Sequence, residues 1–286
     1  MWILFAFISS FFAGITSVLS KIGISNVPSH LATAIRTTVV VIFSWLLVLI
    51  SNTYIPISEI PNKTLWFLLL SGICTGISWI LYFYSIQIGE VNKVAAVDKL
   101  STILTILLAF LLFQETVTLK TLFAIPILLY GTWLMTGFSS LKELTNTTNY
   151  RWFFYSFGSA FFASLTAIFG KIGVSNIPSQ LGTSIRTIFV LLFAWGLALF
   201  TKQQKELPSI SKKSWIFLIL SGITTGLSWL CYYYSLQQGL ASVVVPIDKL
   251  SIVITVFFSH FILKETITRS TKIGLCFIVI GTLLLI

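Results

Sequence analysis

Charged side chains are scarce in this chain. Only 9% of its 286 residues are Asp, Glu, Lys or Arg, whereas 56% are hydrophobic. Ordinary soluble domains carry about 25% charged residues, so this composition excludes a soluble protein and predicts a chain that crosses a membrane repeatedly. A net charge of +10 would suggest nucleic acid as the partner of a soluble protein. Here we interpret the basic residues as loop residues beside the membrane, and we expect no nucleic-acid partner.

Cysteine is also rare. Cys74, Cys231 and Cys276 all lie inside apolar runs, and the chain has no Cys-x-x-Cys pattern. This distribution is typical of small core hydrophobes and does not indicate a disulfide framework or a metal site. We therefore expect neither a metal ion nor another cofactor.

The motifs of several functional classes are missing from the sequence. It contains no Walker A loop, no His-Glu-x-x-His, no Gly-x-Ser-x-Gly and no Gly-x-Gly-x-x-Gly. It also has no stretch that resembles a selectivity-filter loop. These absences argue against an ATP-driven pump, a channel and an enzyme, and we predict no catalytic residues.

The two halves of the chain are similar to each other. Residues 1–136 align with 151–286 without gaps, and roughly 40% of the positions are identical, which indicates an internal repeat. Each half contains five apolar runs of about 20 residues, the length that a helix needs to cross a bilayer. The predicted spans lie near 2–22, 30–50, 65–86, 94–113, 119–138, 152–172, 180–200, 215–236, 244–263 and 270–286. The predicted domains are repeats at 1–138 and 151–286, joined by a linker at 139–150.

Five spans in each repeat is an odd number. After five crossings the chain lies on the other side of the membrane, so the second repeat must enter it with the opposite orientation. The predicted fold class is therefore an all-α integral membrane protein with ten transmembrane helices in two inverted five-helix repeats. Inverted repeats are typical of secondary transporters, which hold their substrate between the repeats near the middle of the membrane.

One charged motif occurs in both repeats. Val97-Asp98-Lys99-Leu100-Ser101 at the start of the fourth span returns as Ile247-Asp248-Lys249-Leu250-Ser251. Charged side chains inside a membrane are costly, and they mark functional sites. Neighbouring residues point about 100° apart on a helix, so we do not expect Asp98 to pair with Lys99. We assign Lys99 and Lys249 as supporting charges; the alternative is a structural ion pair that holds the spans together.

The third span of each repeat carries a polar face. Hydroxyl side chains recur there at helical spacing beside Trp79 and Tyr82, which return as Trp229 and Tyr232. Buried Trp and Tyr need partners for their polar tips, and a hydrated cavity supplies them. We therefore predict that these four rings line a cavity. For the hydroxyls and the neighbouring glycines, helix packing is the alternative.

Two arginines complete the predicted site. Arg36 and its counterpart Arg186 lie inside the second span of each repeat, where they could pair with Asp98 and Asp248 or bind an anionic group of a substrate. The predicted substrate-binding residues are Asp98, Asp248, Arg36, Arg186, Trp79, Trp229, Tyr82, Tyr232, Ser101 and Ser251.

Several of these residues resemble a known family. A lysine at the end of the first span, an arginine in the second and a glutamate after the fourth occur as Lys21, Arg36 and Glu115, and again as Lys171, Arg186 and Glu265. With ten spans in two halves, this pattern resembles the EamA-domain branch of the drug/metabolite transporter superfamily. The Asp-Lys-Leu-Ser element is similar to small EamA-like proteins with a single five-span domain, so this chain looks like two such domains fused.

The orientation of the termini stays open at this point. The resemblance implies that both termini lie in the cytoplasm. By contrast, basic residues are concentrated in the loops after the odd-numbered spans, which by the positive-inside rule predicts both termini outside.

The combined interpretation is a multi-pass protein of the plasma or inner membrane. We predict a secondary active transporter, an exporter or exchanger, that moves a small polar metabolite such as an amino acid or amine by alternating access. Its expected partners are that small molecule and the lipid bilayer, with a proton as the candidate coupling ion and either a monomer or a homodimer as the assembly. The alternatives are a flippase for a lipid-linked or amphipathic molecule and a membrane scaffold that transports nothing.

Overall fold

The computed structural model describes residues 1–114, 118–136 and 151–285, and their regular structure is entirely helical. In the first repeat the helices are α1 (Trp2–Gly23), α2 (Ser29–Ile50), α3 (Asn62–Ile88), α4 (Val91–Asp98), α5 (Leu100–Phe113) and α6 (Leu119–Thr136). In the second they are α7 (Arg151–Val174), α8 (Ser179–Phe200), α9 (Lys212–Gln238), α10 (Ala241–Lys249), α11 (Ser251–Leu263) and α12 (Arg269–Leu284). Glu115 and the predicted linker 139–150 lie outside the described residues.

The prediction of an all-helical membrane protein is confirmed. Within the described residues, nine segments are long and apolar enough to cross a bilayer when α4–α5 and α10–α11 are each counted as one span. The tenth predicted span is α12, which at 16 residues is shorter than the other nine. It packs along α6, where the backbones of Gly131 and Gly274 approach so closely that a Cβ on either would collide with the other's carbonyl oxygen.

Proline and glutamine residues fix the connections between the first spans. Pro28 precedes α2 with φ −55°, which its ring fixes, and with an extended ψ of 140°. The Gln87 side chain at the end of α3 then donates hydrogen bonds to the carbonyl oxygens of Ile24 and Val27, at 3.3 and 2.7 Å. Ile24 and Val27 lie in the turn after α1, where carbonyl oxygens lack the hydrogen bonds of a continuing helix, and the Gln87 amide satisfies them.

Contacts between the repeats show that they are inverted. Along α6 and α12, Gly131 lies against Gly274, while Leu128 lies against Gly281. Residue numbers therefore rise along one helix as they fall along its repeat-equivalent partner, which means that the two helices are antiparallel.

An antiparallel arrangement also holds for α1 and α9, another helix pair that joins the repeats. In α1 and α9, the Trp2 carbonyl accepts from Ser235, Ser9 contacts Ser228, and Thr16 contacts Thr224. The two repeats thus pack face to face in opposite orientations, as the odd number of spans predicts.

Inverted repeats place equivalent loops on opposite sides of the membrane. We expect single cysteines at Asn26 and Asn176, both exposed after the first span of each repeat, to react with a membrane-impermeant maleimide from opposite sides. The background variant lacks Cys74, Cys231 and Cys276. In intact cells one position should label and the other only after permeabilisation, and the labelled one also fixes the orientation of the termini. Equal labelling of both positions in intact cells would rule out the inverted arrangement.

Candidate functional site

The fourth span of each repeat breaks at the Asp-Lys motif. In the first repeat α4 ends at Asp98 and α5 begins at Leu100, and the Lys99 amide bonds the Ala96 carbonyl three residues back, at 3.1 Å. In the second repeat the Leu250 amide makes the equivalent hydrogen bond to the Ile247 carbonyl, three residues back, also at 3.1 Å. Tighter i to i+3 bonding within a helix marks hinges and functional positions. Discontinuous helices also form the binding sites of many secondary transporters.

The two motifs meet where the repeats pack together. The Lys249 Nζ lies 3.1 Å from Asp98 Oδ2, so the ion pair joins the second repeat to the first. The Lys99 Nζ lies 3.8 Å from the same oxygen and donates to Ser251 Oγ at 3.1 Å. The prediction that Asp98 and Lys99 do not pair is wrong, because it considered only the directions of the two side chains on the helix and not the reach of the flexible lysine side chain.

The two aspartates have different partners. Asp98 forms ion pairs with Lys99 and Lys249, whereas Asp248 Oδ1 accepts a hydrogen bond from Ser9 Oγ at 2.6 Å. Within the described part of the chain, no lysine or arginine nitrogen lies within 4 Å of the Asp248 carboxylate. The charge centre therefore departs from the two-fold symmetry that relates the repeats.

The motifs face a cavity between the repeats. Its volume is about 190 Å³. The indole rings of Trp79 and Trp229 contact each other in its wall, with centroids 4.7 Å apart. The Tyr82 hydroxyl, also in the wall, donates a hydrogen bond to Ser17 Oγ at 3.1 Å. The predicted site residues that line this cavity are Asp98, Asp248, Trp79, Trp229, Tyr82, Tyr232, Ser101 and Ser251, together with Lys99 and Lys249.

Most hydroxyls on the third span serve helix packing. Ser71, Ser78 and Ser85 of α3 bond α7, through the carbonyl oxygens of Thr166, Ser159 and Trp152 at 3.0, 2.9 and 2.7 Å. These bonds cross the seam between the repeats, where small hydroxyl residues let two helices approach. The packing interpretation therefore holds for these serines, although Ser78 also reaches the cavity wall.

The arginines lie apart from the aspartates. Arg36 Nε donates to Ser221 Oγ at 2.6 Å and Nη2 to Thr225 Oγ1 at 2.8 Å, while Arg186 Nη1 donates to Thr75 Oγ1 at 2.7 Å. No carboxylate oxygen of the described residues lies within 4 Å of either guanidinium. The predicted pairing of Arg36 and Arg186 with Asp98 and Asp248 is therefore corrected, since Lys99 and Lys249 pair with Asp98 and Ser9 bonds Asp248.

Lys21 and Glu265 hold the ends of helices at a distance from the cavity. The Lys21 ammonium donates to the carbonyl oxygens of Ile86 and of Gly89, the latter at 2.9 Å. The Glu265 carboxylate accepts from the Val91 amide at 2.9 Å, at the start of α4 in the other repeat. A carboxylate at a helix N-terminus satisfies free amides and interacts favourably with the helix dipole.

Sequence reasoning missed the contribution of the first span. Ser9 bonds Asp248, and Ser159, its equivalent in the other repeat, lines the same cavity. Thr16 and Thr166 are likewise identical between the repeats, and Thr166 reaches the cavity. The signal was present, because these hydroxyls recur 150 residues apart just as the Asp-Lys motif does.

Comparison with known proteins identifies the family. Residues 1–137 and 150–286 each match the model of the EamA-like transporter family. The chain belongs to that family. It is a multi-pass protein of the cell membrane, and the family resemblance proposed from the sequence is confirmed.

Relatives of this EamA-like protein include chains that correspond to one repeat. An uncharacterized transporter in the cobO 3′ region of a Sinorhizobium species is 42% identical over 134 residues, covering 47% of this chain and 95% of that protein. An uncharacterized protein of Methanocaldococcus jannaschii is 29% identical over 126 residues, covering 44% and 89%. Both matches have the length of a single repeat.

Longer similarities also exist. The uncharacterized transporter YojE of Bacillus subtilis is 22% identical over 215 residues, covering 71% of this chain and 66% of that protein. One crystal structure superposes with a TM-score of 0.73 at 16% identity, covering 99% of this chain and 95% of the other. At that identity the superposition shows a shared fold alone.

The unequal aspartates predict unequal effects on stability. Asp98→Asn leaves the buried Lys99 and the half-buried Lys249 without their carboxylate, so we expect a loss of about 3 kcal/mol in the free energy of unfolding. Asp248→Asn keeps an acceptor for Ser9, so we expect a loss of about 1 kcal/mol. Thermal unfolding of the purified proteins in detergent measures both, with wild type as reference. Equal losses, or a larger loss in Asp248→Asn, would contradict the asymmetry.

Proposed function

We propose that this EamA-like protein is a secondary active transporter of a small polar metabolite, with an amino acid or amine as the preferred cargo class. The observation that carries the proposal is the meeting of the two Asp-Lys motifs, one from each inverted repeat, in one aromatic-walled cavity. Charges at membrane depth are expensive and mark transport pathways when they face an internal cavity.

The chemistry of the cavity suits a cargo with an ammonium group. Asp98 and Asp248 offer carboxylates, and the ring of Tyr232 in the same wall is an aromatic surface that attracts a nearby cation. Serine hydroxyls complete the lining and can replace part of the hydration shell that a polar cargo loses on binding.

The size of the cavity sets a limit on the cargo. Pockets for drug-sized ligands have volumes of about 300–1,000 Å³, whereas this cavity holds about 190 Å³. The volume supports a metabolite of few heavy atoms over the bulkier amphipathic cargo of a flippase.

Alternating access follows from the same geometry. The repeats are related by inversion and meet at two broken helices, so a rocking motion of one against the other would expose the cavity first to one side and then to the other. In this proposal, cargo or a coupling proton replaces part of the ion-pair network during each cycle. Direction is proposed as export or exchange.

Flux through proteoliposomes tests the assignment of the site. A panel of radiolabelled amino acids and amines identifies a transported cargo, which is then measured with Asp98→Asn/Asp248→Asn. Loss of a hydrogen bond to a charged group is worth about 1.5–3 kcal/mol, so we expect transport to fall by about 10- to 150-fold.

A surface pair provides the matched control. Glu90 and Lys93 form an exposed ion pair at 3.0 Å, and we expect Glu90→Gln/Lys93→Gln to keep its flux. Unchanged flux in the double aspartate variant, with the protein folded and monodisperse, would show that the aspartates do not carry cargo. Flux absent from wild type for every compound in the panel would favour the scaffold alternative.

A further inference from the structure

A second cavity lies against Arg36. Its volume is about 100 Å³, and its wall includes Thr16, Trp79, Phe83 and Thr225 as well as the arginine. The Arg36 side chain is 1% exposed, and its guanidinium carbon lies 4.2 Å from the centre of the Phe83 ring. A positive charge therefore lies between an aromatic ring and a small cavity.

The contacts of Arg36 do not neutralise that charge. Its partners Ser221 and Thr225 direct their own protons to the carbonyl oxygens of Leu218 and Ser221, at 2.9 and 2.6 Å, so they act as acceptors for the guanidinium. Hydroxyl dipoles satisfy two of its donors, and Nη1 has no hydrogen-bond partner within the described residues. A buried guanidinium with a free donor and no carboxylate favours an anion at that position.

The geometry points to an anion-binding site at Arg36, and we propose that it takes a small monovalent anion, a carboxylate or a halide. One positive charge balances one negative charge. A space of about 100 Å³ admits an ion of the size of chloride or acetate.

The same chemistry could come from two sources. The anion is either a free ion or the carboxylate end of the cargo; the second source rests on the proposed function. The two cavities share the wall residues Ala13, Trp79, Tyr82, Ser228 and Trp229. An amino acid could therefore place its ammonium near the aspartates and its carboxylate at Arg36.

Arg186 supports the interpretation from the other repeat. It is fully buried, its guanidinium carbon lies 3.8 Å from the Trp229 ring centre, and its Nε and Nη2 lack hydrogen-bond partners within the described residues. Both repeats thus keep a guanidinium that is stacked on aromatic rings and lacks a carboxylate partner.

Thermal unfolding of the detergent-purified protein tests the site without any transport measurement. Melting temperatures are compared at equal sodium concentration in gluconate, which is too large for the cavity, and in chloride or acetate. We expect chloride or acetate to raise the melting temperature by at least about 3 °C over gluconate, because an anion that binds only the folded state stabilises it.

Three variants decide whether the rise comes from Arg36. Arg36→Met removes the charge, and Thr16→Ile fills the cavity while leaving the arginine in place; we expect both to lose the rise. Lys93→Met removes an exposed cation and should keep it. If Arg36→Met does not fold, Thr16→Ile decides. The proposal is overturned if wild type shows no rise, or if the rise survives in Arg36→Met or Thr16→Ile.

Glycine and ethylamine distinguish the two sources. If the anion is a cargo carboxylate, glycine stabilises the protein more than acetate does, ethylamine does not reproduce the gain, and the excess disappears in Asp98→Asn/Asp248→Asn. If it is a free ion, chloride and acetate act alone and glycine adds nothing. Both outcomes support an anion site. Because the readout is binding, a failure of the transport proposal in the flux assay would leave this result unchanged.

Discussion

The ion pair between Asp98 and Lys249 is the contact on which the arrangement of the two repeats depends. Inside a bilayer a carboxylate or an ammonium is costly, and a nearby opposite charge offsets part of that cost. Here the opposite charge lies in the other repeat, 3.1 Å away. Separating the two charges inside the bilayer would cost free energy, so this pair holds the two repeats together. A movement that separates Asp98 from Lys249 must break the pair or replace it.

The reach of the lysine side chains follows from the same requirement. Neighbouring residues of a helix point about 100° apart, but the flexible four-carbon stem of Lys99 lets its ammonium lie 3.8 Å from Asp98 Oδ2. The surrounding polar groups then divide into two roles. Serines at the seams between α3 and α7 and between α1 and α9 bond the repeats together, while aromatic rings and the remaining hydroxyls enclose the cavity. Packing and binding thus occupy neighbouring faces of the same helices.

Much of the fold and of the candidate site could be predicted from the sequence, because the two repeats can be compared with each other. Residues identical at positions 150 apart, such as Asp98 and Asp248, indicated the site, and an odd number of apolar runs in each half indicated inversion. The pairing of charges could not be predicted, because it depends on the packing of the two repeats and on how far each lysine side chain reaches. Pro246 hints at the break of the fourth span in the second repeat, but Ala96 stands at the same place in the first. The separation of Arg36 from the aspartates could be seen only in the structure. In the sequence, every basic residue within a membrane span is an equally good candidate partner for an aspartate.

A double-mutant cycle on Asp98 and Lys249 tests the central claim most directly. The free energy of unfolding is measured for wild type, Asp98→Asn, Lys249→Gln and the double variant. Each single change leaves a buried charge without its cross-repeat partner, so the double variant should be more stable than the sum of the single losses predicts, by at least about 1 kcal/mol. Losses that add to within about 0.5 kcal/mol would show that the two residues do not interact and that the repeats are not joined at this pair.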